Sequence, residues 1–209
     1  MAARRSERQQ AVSEHKRALI LDAAREVFAD EGLEGASLRA IATRAGYAPA
    51  ALYFHFESKE AIYAEVLRGS LVALGEYVGK AVGKAGDASA RLRAAAMAFF
   101  RFYAENPRDL DLGFYLFRGG MKPKGLGWER DEYLNKALAS ALHPIAEAAM
   151  ELGTGRPGAE LLVVDTFAHA TGLLLLLHTG RIRMFDASAA ERMEAYIDDR
   201  LDRLSKGAK

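Results

Sequence analysis

No stretch of this 209-residue chain alternates apolar and polar residues over the length of a strand, whereas helical periodicity recurs from end to end. That pattern restricts the chain to an all-α fold of about nine helices. Leu19, Ile20, Ala23, Ala24, Val27 and Phe28 repeat at one-turn spacing, an amphipathic stripe with Ser13 as N-cap and Gly32 as stop. A short second helix follows Ser37, carries Leu38, Ile41, Ala42 and Ala45 on one face, and ends at Gly46. Pro49 opens a third helix, where a missing N–H is harmless, and that helix holds Leu52, Tyr53 and Phe56. Ser58 caps a fourth with the stripe Ile62, Tyr63, Val66, Leu67, Leu71 and Leu74. Glu60 lies in its first turn, where the helix dipole favours an anion.

Farther on, Asp87 caps a fifth helix carrying Leu92, Phe99, Phe100 and Tyr103, and Pro107 ends it. A sixth helix is expected over 107–117 and a glycine-rich loop over 119–127. A seventh helix covers 128–152 with a kink at Pro144, an eighth 159–178 and a ninth 188–204. The chain has no cysteine, which excludes disulfides and thiolate metal sites and fits a reducing cytoplasm. The first ten residues lack the apolar core of a secretory signal, and the leucine-rich run 172–177 is too short to span a bilayer. The expectation is a cytoplasmic protein with no membrane partner. A net charge of +1 gives the whole chain no attraction for nucleic acid. Residues 1–17 differ: Arg4, Arg5, Arg8, Lys16 and Arg17 against Glu7 and Glu14 leave +3. A basic arm of this kind can reach phosphate.

Residues 37–56 read SLRAIATRAGYAPAALYFHF. Two short helices meet at Gly46, with Ala42 and Leu52 placed to pack in the elbow. A helix-turn-helix needs a small residue in the first helix, a glycine at the turn, and apolar residues that fix the crossing angle. The match extends over residues 28–62, FADEGLEGASLRAIATRAGYAPAALYFHFESKEAI. This stretch closely resembles the N-terminal domain of tetracycline-repressor (TetR) family regulators. The shared features are Phe28, Gly32 and Leu33, the Ser37 cap, Ile41-Ala42, Ala45-Gly46, Leu52-Tyr53, His55-Phe56 and Ser58-Lys59-Glu60.

The resemblance implies a homodimeric, ligand-responsive, sequence-specific regulator, released from operator DNA by a small molecule that is partly apolar. It implies a basic flexible arm over 1–12, a helix-turn-helix domain over 13–60, and an effector-binding and dimerisation domain over 61–209. It puts Ser37, Tyr53, His55 and Lys59 on backbone phosphates. Arg39, Tyr47 and the start of the third helix, Ala48, Pro49, Ala50 and Ala51, approach bases. The chemistry is coherent, because hydroxyl, imidazole and ammonium groups donate to phosphate and arginine pairs bidentately with guanine. The chain departs from the family where Ala48 replaces a polar cap and Ala51 replaces Thr or Ser. Base discrimination then rests on Arg39, Tyr47 and DNA shape.

Beyond residue 60 no sharp motif occurs. Phe99, Phe102, Tyr103, Phe114, Phe117 and Trp128 fall on or beside three successive helices and can line an apolar effector cavity. Arg101, His143, Asp165 and His169 would supply its polar contacts. Asp165 and His169 share one helix face, but no third ligand accompanies them, so no metal and no cofactor is expected. The eighth helix is apolar nearly all round and should be buried on both sides. Leu161, Val164, Ala168, Gly172 and Leu175 form the face assigned to a second copy of the chain. Dimerisation sets two recognition helices about 34 Å, or a multiple of it, apart. The rival reading is a small all-helical enzyme using His143, His169 and Asp165. Against it, the chain has no nucleophile motif, phosphate loop or complete metal set.

Overall fold

The computed structural model describes residues 2–114 and 125–207. Among these, the helices are α1 (Ala2–Gly35), α2 (Leu38–Ala45), α3 (Pro49–Leu52), α4 (Lys59–Val82), α5 (Ala88–Glu105), α6 (Pro107–Gly113), α7 (Trp128–Glu151), α8 (Arg156–His178) and α9 (Ala189–Gly207). The stretch 115–124 lies outside the described residues, and with it the expected end of the sixth helix, Phe117 and most of the glycine-rich loop. A 3-10 helix, Arg181–Phe185, joins α8 to α9 and has no counterpart in the sequence reading.

The chain divides into two compact units, one made of residues up to 69 with 111–134, the other of 70–110 with 135 onward. In the first, α2 packs on α1 and α3 on α2. Its core includes Ile20, Ala24, Val27, Phe28, Ile41, Ala42, Leu52, Phe56, Ile62 and Tyr63, the residues of the apolar stripes. Phe28 meets Tyr63 edge to face at 4.8 Å between centroids, and the Tyr63 hydroxyl donates to the Leu112 carbonyl at 2.9 Å.

Two expectations need correction here. The stretch 1–12, read as a flexible arm, is helical from Ala2 onward, because neither glycine nor proline occurs before Gly32 and the residues are good helix formers. Ser13 therefore lies inside α1 rather than at its cap. Gly32 does break the helix, with φ 70° and ψ 177°. The third helix ends at Leu52 rather than reaching Phe56. Ala48 makes no side-chain cap, and the amides of His55 and Phe56 both turn back to the Leu52 carbonyl.

In the second unit α5 packs against α8 and α9, and α8 against α9. The face of α5 from Met97 to Tyr103, Arg101 excepted, is buried throughout. Asp87 caps α5 by accepting from the Ala90 amide at 2.8 Å. Phe99 meets both Tyr103 and Phe167 edge to face, and Phe102 meets Tyr103 the same way. Burial pushes the Tyr103 phenol far above its ordinary pKa.

α8 corrects one further expectation. At 23 residues, with a window of mean hydropathy 1.6, it is long and apolar enough to cross a membrane by length and composition, which the short run 172–177 did not reveal. Within one chain it buries a single face. Leu162, Thr166, Ala170, Leu173 and Leu174 face the unit's interior, while Leu161, Val164, Ala168, Gly172 and Leu175 are exposed.

Candidate nucleic-acid interface

α2 begins at a formed cap: Ser37 is extended, and its hydroxyl oxygen accepts from the Ala40 amide at 3.1 Å. That leaves the Ser37 O–H free to donate outward. Gly46 closes the helix in the left-handed region at φ 75°, and the Tyr47 amide returns to the Ala42 carbonyl at 2.9 Å. A side chain at position 46 would meet this conformation with strain, so the glycine is required by the backbone. The tight turn then presents Ala48, Pro49 and Ala50, all exposed, while Leu52 anchors α3 in the core.

Two cations near the recognition elements are occupied within the unit. Arg44 pairs with Glu26 at 2.7 Å and Asp30 at 3.7 Å, tying α2 to α1. Arg17 lies 4.5 Å above the Phe56 ring, donates to the His55 carbonyl at 3.3 Å and pairs with Glu65 at 3.2 Å. Arg39 is different: it is exposed, and no described residue pairs with its guanidinium. Lys16 is exposed and unpaired in the same sense. It lines a groove of about 560 Å³ together with Ser13, Tyr47, Ala51, Phe54 and His55. The groove thus combines an ammonium, hydroxyls and an imidazole with one aromatic wall.

Most of the residues expected at DNA are therefore on the surface and close in the chain to one another. Tyr53 is 63% exposed, so its ring is less packed than a core role would require. Phe54, absent from the sequence reading, is 88% exposed. Its signal was available: it is the one aromatic of residues 53–56 that the resemblance gave no role. Lys59 is a correction. Its ammonium donates to the carbonyls of Leu33 at 2.9 Å, Ala36 at 3.2 Å and Glu34 at 3.4 Å, not outward.

The expected effector residues do not gather. Phe99, Phe102 and Tyr103 are packed core, Trp128 is 77% exposed, and Phe114 and Trp128 belong to the first unit rather than to the unit of the other aromatics. Arg101 pairs with Glu194 on the surface at 3.6 Å. Each member of the acid–base trio has a partner of its own. His143 faces Glu147 at 3.4 Å, Asp165 faces Arg200 at 3.8 Å, and His169 stacks on Tyr196 at 4.1 Å. Burial holds His169 below the usual imidazole pKa, with Arg200 adding to that. Among the described residues no three metal-ligating side chains come together. What the second unit does offer is an open groove of about 720 Å³. Tyr77, Met97 and Leu201 give it apolar surface, and Lys80, Lys84, Arg93 and Arg101 outnumber Asp87 and Glu194 among its charged residues.

Residues 20–66, covering α1 after its exposed first turns, the helix-turn-helix and the start of α4, match the family of bacterial regulatory proteins described as tetR family. Over these residues the chain is similar to the tetR family. Similarity to individual relatives follows the same residues. The chain is 39% identical over 101 residues to the HTH-type transcriptional activator FasR of Mycolicibacterium smegmatis, spanning 48% of this chain and 46% of that protein. It is 45% identical over 56 residues to the HTH-type transcriptional repressor KstR2 of Rhodococcus jostii, spanning 27% and 28%. The matched part of this chain thus spans less than half the length of these relatives. The fold extends further. A TetR family transcription regulator from Marinobacter aquaeolei has a TM-score of 0.67 at 19% identity, with 90% of this chain and 97% of that one covered. The regulator FadR of Bacillus subtilis, solved with stearoyl-CoA, has a TM-score of 0.64 at 17% identity, covering 87% and 95%.

Proposed function

We propose that this chain is a cytoplasmic, homodimeric, sequence-specific DNA-binding regulator without enzymatic activity, released from its operator by a small amphipathic anion. The observation that carries the DNA reading is Arg39. It is an exposed guanidinium without a partner among the described residues, two residues after the Ser37 cap, in a unit that also exposes Ala48, Pro49 and Ala50 and has a groove lined by Lys16, Tyr47 and His55. In this reading Arg39 pairs with a guanine, Ala48 to Ala51 and Tyr47 lie against base edges, and Ser37, Lys16, Tyr53 and His55 meet phosphates. The exposed face of α8 meets a second copy, which supplies the second recognition helix.

Arg39→Ala is expected to weaken binding to the cognate operator by roughly 1–3 kcal/mol, with a much smaller effect on scrambled duplex. The operator is first selected from a genomic fragment pool, and both duplexes are then titrated at one fixed salt concentration. An equal loss on both would move Arg39 to the phosphates.

For the effector, the groove beside α4 and α5 supports the class. Lys80 and Lys84 stand one turn apart without partners among the described residues, above the apolar surface of Tyr77, Met97 and Leu201. That combination suits an apolar chain carrying phosphate or carboxylate. FadR of Bacillus subtilis, a fold relative, was solved with such a molecule, stearoyl-CoA. Long-chain acyl-CoA is expected to displace the operator. Lys80→Glu with Lys84→Glu is expected to raise the concentration needed by about tenfold, the loss of one or two charged hydrogen bonds. Displacement unaffected by the double substitution would place the effector elsewhere.

A further inference from the structure

We infer that Lys59, the residue that family resemblance places on phosphate, instead positions the recognition helix by clamping the end of α1 to the start of α4. The inference rests on the DNA-binding reading but concerns a different atom of the interface. α1 breaks at Gly32, with φ 70° and ψ 177°, and a last turn runs on to Gly35. Lys59 Nζ donates to three carbonyls beyond the break, those of Leu33, Glu34 and Ala36, at 2.9, 3.4 and 3.2 Å. An ammonium has three N–H donors and no acceptor, so a phosphate would have to displace one of these bonds. The carbonyls also sit at the negative end of the α1 dipole, where a cation is favoured.

The position of Lys59 in its own helix sharpens the point. It is the first residue of α4, directly after the Ser58 cap, where the dipole disfavours a cation. The bond to Leu33 bridges 26 positions in sequence and that to Ala36 bridges 23, and between these ends lie α2, the Gly46 turn and α3. Closing that span restricts the orientation of the whole recognition segment. At the other side of α3, Arg17 holds the His55 carbonyl and the Phe56 ring. The recognition helix is four residues long and uncapped, so its direction is set by such clamps rather than by its own hydrogen bonds.

Lys59→Met keeps the stem and removes the ammonium. Binding of the full-length variant to operator and to scrambled duplex is measured across a salt series, well below its melting temperature. The expected result is a ratio of operator to scrambled affinity lowered by about tenfold, because a misplaced helix loses base contacts first. The slope of log affinity against log salt is expected to stay unchanged. A slope reduced by about one, with equal loss on both duplexes, would make Lys59 a phosphate ligand and overturn the inference. An unchanged ratio and slope with only a lower melting temperature would also overturn it, leaving a purely structural lysine.

Should Lys59→Met not fold, reductive methylation of the wild-type chain decides by peptide mapping. Lys59 is expected to react slowly both free and on DNA, whereas Lys16 reacts freely and is protected by DNA. Fast modification of free Lys59 would sink the clamp. Wild-type protein that binds no DNA would instead end the DNA-binding reading, while slow modification of Lys59 would still report the clamp.

Discussion

Placing a carboxylate on the exposed stripe of α8, as in Ala168→Asp, is expected to turn a dimer into a monomer at micromolar concentration. Leu161 and Val164 are 65% and 60% exposed in the single chain, and Ala168, Gly172 and Leu175 continue the stripe at one-turn spacing. So much contiguous apolar surface on one helix is unfavourable in water unless something covers it. A two-fold interface would bury the new charge twice, each without a partner, at roughly 3–5 kcal/mol per charge. Such a loss exceeds what a dimer of ordinary affinity tolerates. Gly172→Ala provides the control for folding. A Cβ at position 172 would meet nothing within 4 Å in the single chain, so only an intersubunit contact is disturbed. Light scattering of wild type and both variants checks the result. A monomeric wild type would refute the dimer, and co-sedimentation of the chain with lipid vesicles would assign the stripe to a membrane.

The second large effect concerns the first unit. Phe28→Ala is expected to destabilise it by roughly 3–5 kcal/mol, the range for removing a fully buried aromatic ring. Phe28 is wholly buried and holds the edge-to-face contact with Tyr63, whose hydroxyl in turn anchors the Leu112 carbonyl. Operator binding is expected to be lost with the unit's melting transition, while the oligomeric state is retained, because the α8 stripe lies wholly in the other unit. Calorimetry with light scattering on one sample tests both halves. An unchanged thermal midpoint would show that the Phe28 site collapses around the cavity at little cost.

Much of this was legible in the order of residues because it depends on neighbours in sequence. Ser37, Ser58 and Asp87 were readable as caps, and each accepts from the amide three residues on. Gly46 was readable as a turn because few residues other than glycine adopt its backbone angles without strain. The α8 stripe was readable because helical period sorts residues by face. The helix-turn-helix combines all three kinds of local signal, which is why its residues could be placed before any coordinates. Phe54 was missed because period alone does not tell an exposed aromatic from a buried one in an irregular turn.

The remaining features depended on long-range packing. Whether Phe99, Phe102 and Tyr103 line a cavity or fill a core depends on what faces them, and Phe167, more than sixty residues on in the chain, fills the space beside Phe99. Lys59 reads as a phosphate ligand by position, yet its ammonium goes to carbonyls that follow a break 27 positions earlier at Gly32. An aromatic or a long cation carries the same local signal in either role. Its partner is brought to it only by the fold, and a buried ring or a carbonyl at hydrogen-bonding distance outweighs what sequence spacing implies.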